Sequence, residues 1–121
     1  MEKLSERSMA RSLFDNDNVH FAHLETLIEI VPGGIVSKPL LDAGKCKQVL
    51  FSMDRGQQLT RHTSALLATI HVLGGRIRCV VAQKEHEMTG GDWLLLPPNT
   101  PHEVQAIEPS RFLLSLTWVE D

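Results

Sequence analysis

Six histidines and two cysteines are the side chains of this 121-residue sequence best suited to chemistry near neutral pH. Imidazole donates, accepts, titrates and binds metals, and a thiolate is both a nucleophile and a soft ligand. Two of the histidines stand beside turn-rich segments. Five residues separate Gly56 from His62, and His102 follows directly on Pro97-Pro98-Asn99-Thr100-Pro101. Those prolines stiffen the approach to His102, which suits a side chain that must point one way. The remaining candidates read more plainly. His20 and His23 lie three apart with no further ligand near them, an exposed pair. Glu85-His86-Glu87 alternates charge, as a solvated edge strand does. Cys79 alternates with Ile77 and Val81, which turns it inward as a small hydrophobe, whereas Cys46 sits in a polar turn. Trp93 and Trp118 read as packing residues, with Trp118 also a candidate pocket wall. No phosphate-cradling glycine loop, nucleophile elbow or Cys-x-x-Cys pair is present.

The elements that must position these residues are short and apolar. From about Leu24 onward, runs of four to nine residues alternate with glycine, proline and aspartate turn signals. The runs are Leu27–Val31, Ile35–Leu41, Lys47–Asp54, Leu66–Leu73, Ile77–Ala82, Glu85–Met88, Asp92–Leu96, His102–Ile107 and Phe112–Val119. Strands at roughly 8–12-residue spacing predict an all-β sandwich or barrel. No window of helical length lies between them, which excludes βαβ units. Residues 1–18 form a polar arm, helical over about residues 4–14 or without order. Residues 19–121 make one barrel domain.

Composition narrows the function. Hydrophobic residues make up 42% and charged residues 22%, enough for a core without metal or disulfide staples. Twelve Lys and Arg against fifteen Asp and Glu leave a net charge of −3. The closest basic pairs are Lys45 with Lys47 and Arg76 with Arg78, too scattered to track phosphates, so no nucleic-acid partner is expected. No apolar run is long enough to span a membrane, and no secretory apolar region precedes a cleavage site. With only two cysteines, a reducing, cytoplasmic setting is expected. Leu66–Leu73 is apolar on both alternating faces. A strand of that kind needs a second layer: the facing sheet, the N-terminal segment or another subunit. The last of these leads to the expectation of a homodimer.

The stretch from Gly56 to His102 carries a resemblance. After Gly56 come five residues, His62-Thr63-Ser64, and then Ile70-His71-Val72-Leu73-Gly74-Gly75. Beyond a hairpin follow Gly91-Asp92 and Leu94-Leu95-Leu96-Pro97-Pro98-Asn99-Thr100-Pro101-His102. This resembles the two motifs of the cupin superfamily, in particular the small single-domain cupins in which a His-Thr pair replaces His-x-His. The resemblance implies a double-stranded β-helix, a jelly-roll barrel, often dimeric, with a pocket inside one end. It also implies a metal-ligand pattern of two histidines and a carboxylate from the first motif and a histidine from the second. Carried over by position, these are His62, Ser64, Ala68 and His102, so two of the four ligand types are kept. Asn99 stands where the second motif has a glycine.

His62, Ser64 and Ala68 share strand parity, so they face one side if no bulge intervenes. Two imidazoles hold a metal loosely, because catalytic zinc and non-heme iron sites use about three protein ligands. Cys79, Gln57 and Gln58 are candidates for a third; His71 has the opposite parity and faces away. Without a metal, Leu66, Ala68, Ile70, Val72, Val104 and Ala106 share the histidines' face, and an apolar cavity with a few polar groups is how small-molecule sites are built. The expected binding residues are therefore His62, Ser64, Ile70, Cys79 and His102, with His62 and His102 as the metal pair if a weakly held divalent transition metal is present. The first function expected is binding of a small, partly apolar molecule with no tight metal. The second is a metal-dependent dioxygenase or isomerase acting on a small carbonyl or aromatic substrate. A third is a dimerising or partner-binding module. Whether the chain is an enzyme stays open, since one fold hosts many chemistries.

Overall fold

Period-two alternation governs the architecture. In residues 67–74, Ala68, Ile70 and Val72 are buried while His71 between them is exposed. The computed structural model describes residues 11–119. Among the described residues nine strands form: β1 Ile35–Asp42, β2 Cys46–Met53, β3 Gln58–His62, β4 Leu67–Gly74, β5 Arg76–Val81, β6 Lys84–Thr89, β7 Trp93–Leu96, β8 His102–Ala106 and β9 Ser110–Thr117. They make two antiparallel sheets, one of five strands in the order β1-β2-β9-β4-β7 and one of four in the order β3-β8-β5-β6. Apart from the consecutive pairs β1-β2 and β5-β6, neighbours in each sheet come from distant parts of the chain, as in a double-stranded β-helix, and the all-β jelly-roll barrel stands. No helix among the described residues is long and apolar enough to cross a membrane.

The inner faces of both sheets meet in one core, in which Met53, Val72, Ile77, Cys79, Leu96 and Phe112 are almost wholly buried. A second, smaller cluster lies on the outer face of the five-stranded sheet. There Ile28, Leu40 and Leu50 are buried beneath Phe14, Leu24 and Leu27. Residues 11–30 thus supply part of the second layer that β4 requires: Leu73 packs into this cluster, whereas Leu67 and Thr69 stay half-buried.

Three expectations need correction. The run Leu27–Val31 is not a strand: a 3₁₀ turn spans Leu24–Leu27, Ile28 after it is extended, and residues 28–31 join no ladder. Its carbonyls are taken by side chains of the sheet below. Lys38 Nζ donates to Leu27 O at 3.1 Å, Arg111 Nε to Ile28 O at 2.8 Å and Ser52 Oγ to Glu29 O at 2.7 Å. Such bonds satisfy the backbone without a partner strand. The N-terminal helix falls mostly on residues 1–10, outside the described residues. Residues 11–14 are not helical; the N–H groups of Leu13 and Phe14 donate to Pro39 O and Leu40 O on β1. Finally, Trp93 and Trp118 are exposed, at 61% and 56%. Trp93 pairs with His71 and shares its outward parity, so the neighbouring apolar residues Leu94 and Leu96 take the inward positions.

Candidate functional site

His62 owes its direction to an irregularity in β3. Leu59 pairs with Val104 and His62 with His102, so three steps on β3 match two on β8. In a regular strand, residues three apart face opposite ways; the extra residue of a bulge returns His62 to the side of Leu59. His102 opens β8, whose buried positions are His102, Val104 and Ala106. The turn ahead of it is pinned from two directions. Asn99, at φ 63°, donates its N–H to Ser64 O at 2.7 Å, and Ala82 N–H donates to Pro101 O at 3.1 Å.

The two imidazoles meet edge to face, with ring centroids 4.2 Å apart and planes at 61°. His102 is buried, 7% exposed, and His62 is open to solvent. Each ring is held in the same way. Nδ1 of His62 lies 2.8 Å from Thr60 O, and Nδ1 of His102 lies 3.0 Å from Thr100 O. A carbonyl oxygen only accepts, so Nδ1 carries the proton in both rings, and in the neutral form Nε2 keeps a lone pair.

Behind the rings lies a cavity of about 130 Å³, walled besides the histidines by Phe51, Leu59, Ile70, Val104, Phe112 and Leu114. Phe51 and Phe112, cross-strand neighbours on β2 and β9, stack with centroids 5.1 Å apart and planes 5° from parallel. His102 also borders a second depression of about 180 Å³, lined by Arg61, Val80, Gln83, Pro101 and Glu103. Every wall of the first cavity other than the imidazoles is hydrocarbon, so it takes an apolar group with polar contact at one end only.

Of the residues expected at the site, the structure brings His62, His102 and Ile70 together. It does not bring Ser64 or Cys79 to the cavity. β3 ends at His62, and Ser64 lies in the loop to β4, where its hydroxyl accepts the Leu66 N–H at 3.1 Å. The parity shared by His62, Ser64 and Ala68 therefore breaks, because no single strand runs through all three. Ala68 sits in the other sheet. Cys79 is wholly buried between the sheets, and burial pushes its thiol up to about 12, so it stays S–H rather than thiolate. Gln57 is engaged through its backbone with Ala106, and Gln58 is exposed. His71 is exposed on the outer face, His20 stacks on Phe14 and meets Asp15 at 3.2 Å, and His86 lies on the edge strand β6. Phe51, Leu59, Phe112 and Leu114 were not foreseen. Alternation marks them as inward-facing, but which inward residues reach the barrel mouth depends on register between distant strands.

The donor set does not fit a firmly held metal ion. Among the described residues no three His, Cys, Asp or Glu side chains converge in a way that would hold one. Two imidazoles fall short of the usual set.

The comparisons with known proteins agree with this fold. The sequence is similar to a conserved protein of unknown function from Streptococcus pyogenes, 23% identical over 95% of this chain and 100% of that one, with a TM-score of 0.80. A cupin superfamily protein from Desulfitobacterium hafniense is 16% identical over 93% of this chain and 100% of that one, with a TM-score of 0.78. A cupin 2 conserved barrel domain protein from Leptotrichia buccalis is 30% identical over 81% of this chain but only 47% of its own, with a TM-score of 0.75. No curated protein matches the chain. The family described as the cupin domain matches residues 49–119, from β2 through β9 and including both histidines. With the motifs, the two sheets and this match in agreement, the chain belongs to the cupin family.

Proposed function

We propose that this cupin binds a small, partly apolar molecule inside the barrel, with its polar end at His62 and His102. One observation carries the reading: two imidazoles in contact close an otherwise hydrocarbon cavity large enough for about one ring. An engineered apolar cavity of about 150 Å³ binds benzene, which sets the scale. Small aromatic probes titrated into labelled protein are expected to shift the methyl resonances of Ile70, Val104 and Leu114. Shifts confined to the outer surface would sink the reading, and so would one equivalent of transition metal retained through chelator dialysis.

The metal-dependent dioxygenase or isomerase remains the second reading. It draws on the two Nε2 atoms, since a ligating histidine commonly donates its other N–H to a carbonyl. It requires a third ligand that the described residues do not provide. Elemental analysis of reconstituted protein showing no metal uptake would exclude it.

A homodimer is also proposed. Residues 11–30 cover only part of the five-stranded sheet, and Trp93 and Leu95 on β7 are 61% and 43% exposed. β7 is an edge strand, so its apolar face and its open backbone ladder lie together, and a second copy of the chain can use both. Light scattering at micromolar concentration is expected to give twice the monomer mass, and Trp93→Lys to shift it toward the monomer. A monomeric unsubstituted protein overturns the assignment.

A further inference from the structure

Resting on the barrel-cavity reading above, we infer that the His62–His102 pair selects a ligand whose polar end is a hydrogen-bond donor. The class is a neutral aromatic alcohol or N–H compound about the size of phenol, not a ketone, aldehyde or carboxylate.

The inference follows from where the protons are. Each Nδ1 faces the carbonyl two residues earlier, Thr60 O for His62 and Thr100 O for His102. Both rings are therefore the same tautomer, and neither can turn its Nδ1 proton to a ligand without abandoning that carbonyl. No hydrogen bond joins the two rings, and among the described residues neither Nε2 has a partner. His102 is more than nine-tenths buried, yet its Nε2 is not sealed off. In a ring otherwise buried, that one open and unpartnered polar atom is where a ligand can bond. The atom offered is an acceptor. A carbonyl or carboxylate brought against it sets lone pair against lone pair, whereas an O–H or N–H completes it.

The remaining walls fix the rest of the molecule. Phe51 and Phe112, stacked on one another, and Ile70 and Leu114 beside them offer no polar atom to a ligand in a space of about 130 Å³. One ring fits, with its donor directed out toward the histidines. Donation to a single Nε2 suffices; water meets the exposed ring of His62.

Phenol and toluene separate the possibilities, because they differ only in O–H against CH₃. Burying a hydroxyl without a partner is costly, so an indifferent apolar cavity prefers toluene. A cavity with a waiting acceptor reverses that order. At pH 8, phenol is expected to bind about tenfold more tightly than toluene, the ratio one buried hydrogen bond supplies. Benzaldehyde is expected to bind no more tightly than toluene. In His102→Phe the order returns to toluene first. His62→Phe, at an exposed position, leaves the His102 acceptor in place and is expected to keep phenol first, and loss of the phenol preference there overturns the assignment to His102. Long-range ¹H–¹⁵N correlation is expected to show the Nδ1–H tautomer at both rings, and Nε2–H there overturns the inference. Toluene binding as tightly as phenol overturns it too, while leaving the cavity reading intact. If none of the three aromatics enters the barrel, the cavity reading fails and this inference with it.

Discussion

Gly75→Ala is expected to lower folding stability by about 4 kcal/mol, from strain and overpacking together. Gly75 joins β4 to β5 at φ +89°, where a side chain is strained whatever the space around it. Here there is no space. An added Cβ would overlap Pro109 O and Ser110 Oγ and come within 2.6 Å of Ser110 Cα. The obstacle is backbone, which cannot swing aside as a long side chain can. The Ser110 hydroxyl, moreover, ties the turn together: it accepts the Arg76 N–H at 2.9 Å and lies 3.0 Å from Arg76 O and 2.7 Å from Glu108 O. Ser110 is 1% exposed, so a displaced hydroxyl has no water to replace those partners. Gly44→Ala is the control. Gly44 has a similar φ of +81° but nothing within 4 Å of the added atom, so it should show the strain alone, about 1 kcal/mol. Urea denaturation of both variants measures the difference. Equal losses at the two positions would show that the crowding at Ser110 has no consequence.

Phe112→Ala is expected to cost about 3–5 kcal/mol, the range for emptying a fully packed aromatic site. Phe112 is 1% exposed, lies on β9 at the centre of the five-stranded sheet, and stacks on Phe51. Losing the ring removes its own burial, leaves a void the flanking strands cannot close, and strips Phe51 of its partner. Phe112→Leu keeps most of the volume and should cost about 1–2 kcal/mol, part of it the stacking contribution. The denaturant slope should stay unchanged in both, because the same surface is exposed on unfolding. Since Phe112 is also a cavity wall, the Ala variant is expected to accept ligands larger than one ring. A loss below about 1.5 kcal/mol would mean that the ring is not packed as described.

Much of the barrel was legible because its rules are local. Alternation placed Ala68, Ile70 and Val72 on the inner face, and glycine and proline clusters marked the ends of most strands within a residue or two. Edge character at Glu85-His86-Glu87 followed from charge alone, and β6 is indeed an outer strand. The run Leu27–Val31 misled because an apolar stretch looks the same whether it pairs in a ladder or lies across one. Trp93 misled because aromatic bulk favours burial on average, while parity with His71 committed it to the outer face.

The chain's own pattern determined that it would be an all-β barrel and that His62 and His102 were its candidate site residues. Those facts rest on strand period, turn chemistry and short motifs, each spanning a few neighbouring residues. Only the tertiary structure decided that the two rings touch, that Ser64 and Cys79 stay away from them, and that Phe51 and Phe112 wall the space behind. The cause is register: the bulge after Leu59 and the pairing of His62 with His102 join segments forty residues apart, and one residue of slip would have turned His62 to the other face.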